Sequence, residues 1–209
     1  MKHLLYIADP LCSWCYGFGP ELTRVLDSHP GSVLELVMGG LRPFNREPMS
    51  GAFRDMLLGH WKHVSDASGL PFSGTNLQRD GWAYDTEPAC RAVVTARAMD
   101  YPRAYEYLEA VQAAFYRDGR DATLAGELAD VAVSCGFERA AFLGKFESDA
   151  MREQTLADFS AAQRLGVNGF PTLGVKHAGQ VYLVTSGFAT HAELEERLAQ
   201  IERLVSKPG

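Results

Sequence analysis

Two thiols, Cys12 and Cys15, enclose Ser13 and Trp14 in the stretch "LYIADPLCSWCYGFGPEL", directly after an apolar run. Leu4 to Ala8 has the pattern of a strand, and Ser13 to about Ser28 that of a helix, so Cys12 falls where the chain turns from one into the other. The N–H groups at a helix start are unpaired and its dipole favours negative charge. Thiols in that setting have pKa values of roughly 3.5–7.5 instead of about 8.5, and only the thiolate attacks a disulfide. Cys15 lies one turn further on. Helix positions at that spacing have Cβ atoms about 5–6 Å apart, which small adjustments bring to disulfide geometry. The pair can therefore close and open without large backbone motion, with Cys15 expected to be the more buried and less ionised, resolving thiol. Ser13 has a hydroxyl to offer the Cys12 sulfur, while Trp14 packs on the rim of the site or in the core. Asp9 is close enough in sequence to relay a proton to Cys15 or, with Pro10, to cap the turn.

Other uses of the two thiols are weaker. A zinc site takes four ligands, commonly as two close pairs, and no second Cys-x-x-Cys exists; His3, His60, His63, His177 and His191 show no matching spacing. No metal is expected. Apolar burial alone does not explain cysteines at both 12 and 15 in a first helical turn. Cys90, among Ala89, Ala92, Val93 and Val94, and Cys135, in line with Leu124, Leu128 and Val131, instead read as small buried hydrophobes.

The elements that carry the pair follow from periodicity. Gly17, Gly19 and Pro20 predict a kink or break early in the first helix. Val33 to Met38 is a second strand, ended by Gly39 and Gly40, which makes a parallel βαβ unit. From Arg42 to about Asp149 the chain has helix signals and loops but no convincing strand. Pro88 opens "EPACRAVVTARAM", "YPRAYEYLEAVQAAFYRDG" is amphipathic up to Gly119, and "TLAGELADVAVSCG" stops at Gly136. "ERAAFLGKF" is short, and Ser148 caps a helix running to Leu165. Alternation then returns in "PTLGV" and "QVYLVT" around a turn at Gly179. Last, Thr190 and Glu193 at capping-box spacing open a helix whose apolar face is Leu194, Leu198, Ile201 and Val205.

These signals predict an α/β fold in which residues 1–42 and 150–209 form one domain and 43–149 an inserted helical domain. A chain of 209 residues, 46% hydrophobic, buries about 70% of its unfolded surface and needs no staple to fold. Net charge is −6, with acids and bases intermixed, which argues against nucleic acid or membrane as partner. The apolar run at the amino terminus is too short for a signal segment, and no stretch approaches a membrane span. A soluble, cytoplasmic protein is expected.

The second chemical signal is "GVNGFPTLGV", where Phe170–Pro171 precedes a strand; X-Pro is where cis bonds are cheap. The order strand, Cys12-Ser13-Trp14-Cys15, helix, strand, helical middle, Gly169-Phe170-Pro171-Thr172 resembles the DsbA family of thioredoxin-fold proteins along essentially the whole chain. "DPLCSWCYGFGPEL" with "GGLRP" looks especially like its cytoplasmic FrnE-like branch. The resemblance implies a thioredoxin-like fold with a large all-helical insertion, Cys12 as exposed nucleophile, Cys15 as resolving thiol, and a cis Phe170–Pro171 bond facing them. It also implies that the backbone at Phe170 pairs with an extended substrate segment. Strongly oxidising periplasmic relatives have a histidine where this chain has Trp14, and FrnE relatives can carry a further cysteine pair near the carboxyl terminus, absent after Cys135.

The expected function is thus a thiol–disulfide oxidoreductase or isomerase acting on protein or small-molecule disulfides and thiols, with no cofactor and with glutathione as an optional co-substrate. Two alternatives stay open. One is a glutathione-dependent transferase or isomerase of the kappa-class or 2-hydroxychromene-2-carboxylate isomerase type, relatives that keep serine where this chain has Cys12. The other is a client-binding chaperone module. Oligomeric state and physiological substrate are not encoded in any motif.

Overall fold

The computed structural model describes residues 2–206. Four strands form one sheet in the order β2-β1-β3-β4. Strand β1 (His3–Ala8) runs parallel to β2 (Val33–Met38) and antiparallel to β3 (Thr172–His177), which pairs antiparallel with β4 (Gln180–Ser186). The period of two along β1 divides the core: Leu4, Tyr6 and Ala8 face the large cluster, whereas Leu5 and Ile7 pack with Val37 and Ala162 on the other side. The sheet therefore comes from the two ends of the chain, and helices α2 (Gly51–Ser68), α3 (Glu87–Met99), α4 (Ala104–Tyr116), α5 (Ala125–Ser134) and α6 (Arg139–Phe146) lie between them in sequence. The expected thioredoxin-like α/β architecture is what forms.

Helix α1 (Ser13–Ser28) joins β1 to β2 and runs without the break expected at Gly17, Gly19 and Pro20. Burial of Phe18, Leu22 and Val25 holds it together across Pro20. Gly17 serves packing instead: a Cβ there would lie 2.8 Å from Cγ1 of Val64 and 3.3 Å from Cβ of Ser68. Only glycine lets α2 come this close.

Capping chemistry appears where the sequence places it. Ser148 accepts from the Met151 amide to start α7 (Asp149–Arg164), and Thr190 and Glu193 form a reciprocal capping box on α8 (His191–Val205). Helix α7 is locked to the sheet through Asp158, which accepts from the Met38 amide at 2.9 Å and from Arg97 of α3 at 2.8 and 2.9 Å. Helix α2 starts at Ser50, whose hydroxyl accepts from the Phe53 amide.

A buried carboxylate sets the end of β1. Asp9 is fully buried; its Oδ1 accepts from the Leu11 amide at 2.8 Å, and its Oδ2 from the Leu41 amide at 2.6 Å and from the Cys90 thiol at 3.3 Å. One side chain thus ties the turn before α1, the loop after β2, and α3. Replacing it takes the shared acceptor from the buried Leu11 amide, the part-buried Leu41 amide and the Cys90 thiol. The substitution Asp9→Ala is expected to lower unfolding free energy by about 2–3 kcal/mol in urea denaturation. An effect within experimental error would show that the turn is held by something else.

Candidate active site

Cys12 is the N-cap residue of α1, with extended backbone (φ −89°, ψ 117°) and no side-chain cap of its own. Its amide donates to the Asp9 carbonyl at 3.0 Å, and its carbonyl accepts from the Tyr16 amide at 3.1 Å. The backbone is thereby fixed on both sides of the sulfur. The Phe170–Pro171 bond is cis, as the resemblance implies. The Cys12 thiol donates to the Phe170 carbonyl at 3.6 Å, so residues far apart in the chain meet at the end of the sheet.

One expectation needs correction. Cys12 is not an exposed sulfur: the residue is 6% exposed and belongs to the main core cluster. The Phe170 backbone faces the sulfur, and Tyr84 of the α2–α3 connection donates its hydroxyl to the Leu11 carbonyl just before it.

Cys15 lies fully buried one turn further along α1 from Cys12. Burial, and then the bond and charge of Cys12, push its thiol well above the ordinary cysteine range; a backbone bond from Asp9 opposes the shift only in part. The fully buried Tyr6 hydroxyl of β1 is likewise driven up, by burial first and then by the charge of Cys15. All four cysteines are free thiols. Cys15 thus holds its proton in the reduced protein, as suits the inner member of a pair.

The residues between them behave differently. Trp14 is half-buried on the rim, its ring 5.6 Å from that of Phe188 and 6.0 Å from that of His60. Ser13 is buried and makes no hydrogen bond to the Cys12 sulfur among the described residues. Of the two roles considered for Asp9, the side-chain contacts match the capping one: its carboxylate takes the Leu11 and Leu41 amides and the Cys90 thiol. Burial raises the Asp9 carboxyl, and those bonds offset part of the rise. Cys90 is fully buried, as expected of a core thiol, yet its S–H is spent on Asp9, and burial followed by the Asp9 charge pushes its pKa well up. Cys135 is buried at the C-terminal cap of α5, and burial pushes its thiol up.

Sequence reasoning missed the tyrosines. Tyr6, Tyr84 and Tyr116 are all buried, and each hydroxyl feels the charge of Cys12. It also missed how Gly39 makes room for Phe170: a Cβ on Gly39 would sit 2.0 Å from the Phe170 ring. The signal was present as the paired glycines ending β2. Among the described residues, no three His, Cys, Asp or Glu side chains converge to hold a metal ion, and no helix is long and apolar enough to cross a membrane.

Comparison with known proteins agrees with this geometry. The family model described as DSBA-like thioredoxin domain matches residues 6–199. A candidate protein disulfide isomerase from Nitrosomonas europaea superposes with a TM-score of 0.90 at 32% identity, over 97% of this chain and 98% of its own. The cytosolic disulfide reductase DsbM from Pseudomonas aeruginosa gives 0.80 at 25% identity, over 98% of this chain and 100% of its own. The structure of DsbM with GSH gives 0.78 at the same 25% identity, over 97% and 99%. A 2-hydroxychromene-2-carboxylate isomerase shares the fold alone, with a TM-score of 0.65 at 17% identity over 97% of this chain and 95% of its own. No curated protein matches the sequence. A family match that begins inside β1 and ends inside α8, on a sheet and helix order of the same kind, establishes that this chain belongs to the DsbA-like thioredoxin-domain family.

Proposed function

We propose that the chain is a thiol–disulfide oxidoreductase working through Cys12-Ser13-Trp14-Cys15. The observation that carries this reading is the Cys12 sulfur at the start of α1, 3.6 Å from the Phe170 carbonyl beside Pro171, with Cys15 fully buried one helical turn further on. Cys12 is the nucleophile. Its thiolate attacks one sulfur of a disulfide, the other sulfur leaves as a thiol, and a mixed disulfide remains on Cys12. Cys15 then loses its proton and attacks, closing Cys12–Cys15 and releasing the second thiol. Phe170 and Pro171 form the wall along which the substrate lies, and Trp14 shapes the rim. Running in reverse, two thiols such as glutathione reopen the pair. No further cofactor is required. In a reducing compartment such as the cytosol, where the Pseudomonas relative is named as a reductase, the couple works in the reducing direction.

The neighbouring isomerase fold favours a second reading, glutathione-dependent transfer or isomerisation without a disulfide cycle. The two part at Cys15. Under the oxidoreductase reading, Cys15→Ser halts turnover and accumulates a mixed disulfide on Cys12 that intact-mass and peptide mapping detect, and Cys12→Ser forms none. If Cys15→Ser turned over at the wild-type rate, the disulfide cycle would be excluded.

The high thiol pKa of Cys15 gives a pH signature. Burial keeps it protonated near neutrality, so its thiolate fraction, and with it the rate of clearing the mixed disulfide, is expected to rise about tenfold per pH unit from about pH 6 to 8. Stopped-flow mixing of a preformed mixed disulfide reads this directly. A flat profile would mean that Cys15 does not resolve it.

A further inference from the structure

Gly17, Gly19 and Pro20 are helix breakers by type, yet α1 runs through all three. The approach of α2 accounts for Gly17 but not for the other two. A proline in a helix interior is costly, because it has no N–H to return to the carbonyl one turn back, here that of Tyr16. Tyr16, Gly19, Pro20 and Thr23 recur at helical spacing and share one face of α1. That face lines an open cavity of about 490 Å³, whose other walls are Leu70 and the Glu109, Gln112 and Ala113 face of α4. With no side chain at Gly19 and a single methyl at Ala113, neither helix fills the space.

Two polar groups in this cavity are left over by the fold. Among the described residues, every carboxylate without an ion-pair partner is exposed except Asp9, Asp85 and Glu109. Asp9 and Asp85 are taken up by backbone amides, those of Leu11 and Leu41 for one and of Phe44 and Glu87 for the other. Glu109 takes no amide; the Thr23 hydroxyl donates to its Oε1 at 3.1 Å. Burial lifts the Glu109 carboxyl above the usual range, the hydroxyls of Thr23 and Tyr105 oppose the lift, and the charge bearing on it is the negative one of Glu106. The guanidinium groups at the edge of the cavity do not neutralise it, since Arg24 is spent on Glu21 and Arg117 on Asp118. The second group is Gln112, 2% exposed, whose Nε2 is shut off from water and has no hydrogen-bond partner. An amide donor left so is expensive. Three apart on α4, the two residues have Cβ atoms about 5–6 Å from each other.

We propose that the cavity between α1 and α4 binds a small primary amine with an apolar body and a carbonyl close to its nitrogen. The ammonium pairs with Glu109, the carbonyl accepts from Gln112, and the apolar part lies on Tyr16, Pro20 and Leu70. A carboxylate already stripped of part of its water gains more from an incoming cation than an exposed one does. Net charge −6 draws cations to the chain and repels anions. The Tyr16 ring is a rigid floor, stacked 5.0 Å from Tyr116 and edge-on 5.2 Å from Phe72. The site is separate from the thiol chemistry, no step of which uses Glu109 or Gln112.

Calorimetric titration near neutral pH tests this with three matched probes: L-phenylalaninamide, 3-phenylpropanamide, which lacks the ammonium, and 2-phenylethylamine, which lacks the carbonyl. The wild type is expected to bind L-phenylalaninamide about tenfold more tightly than 3-phenylpropanamide and about fivefold more tightly than 2-phenylethylamine. In Glu109→Gln, which keeps an acceptor for Thr23, the advantage over 3-phenylpropanamide should vanish. A methyl at position 19 would stand 3.7 Å from Oε1 of Glu109, an ordinary contact, in a helix that alanine favours over glycine. Gly19→Ala is therefore expected to keep or raise the thermal midpoint while weakening L-phenylalaninamide about threefold or more, a loss that unfolding does not explain. The proposal is overturned if the wild type binds L-phenylalaninamide no more tightly than either partial analogue, if its advantage survives in Glu109→Gln, or if Gly19→Ala leaves its affinity unchanged.

Discussion

The geometry of this protein depends on a carboxylate that water does not touch. Burying Asp9 is costly, and the cost is offset because its oxygens take the amides of Leu11 and Leu41 and the thiol of Cys90. Those three donors belong to the turn entering α1, the loop leaving β2, and α3. The parallel pairing of β1 with β2 brings Ala8 beside Met38, so the two chain segments that must be joined already leave the sheet side by side. Asp9 then fixes their separation. On one side this sets Cys12 at the helix start; on the other it sets the loop that leads to Arg42.

The environment behind the sulfurs works by withholding water. Cys15, Tyr6, Tyr84 and Tyr116 are all buried and all pushed toward their protonated forms. Such a wall holds its protons, so these four side chains add no charge of their own behind Cys12. At the front of the site the rings of Trp14, Phe170 and Phe188 are only partly buried.

How far this was legible in the sequence depends on the range of each interaction. The strands, α1, and the caps at Ser148 and Thr190 were readable because local periodicity and short-range bonds decide them. The Cys12–Cys15 pair and the Phe170–Pro171 partner were likewise readable as motifs. The break expected in α1 was not there, since Gly17 answers to the approach of Val64 and Ser68, a tertiary contact that no local pattern announces. Helix α2 escaped notice because its buried residues are only Leu57, Trp61 and Val64, spread among histidines and charges. Without α2, neither the ring contact of His60 with Trp14 nor the close approach at Gly17 could be seen. Cys90 read correctly as a buried thiol, but its bond to Asp9 spans the distance from β1 to α3 and exists only once the chain is folded.

The most direct test equilibrates the protein with glutathione buffers of varied ratio, quenches in acid, blocks free thiols and maps the disulfides. A single two-electron transition is expected, in which Cys12 and Cys15 disappear from the free-thiol pool together as one intramolecular bond while Cys90 and Cys135 remain free throughout. Oxidation that joins Cys12 to any other cysteine, or that leaves Cys15 reduced at every ratio, would contradict the assignment of these two sulfurs as a working couple.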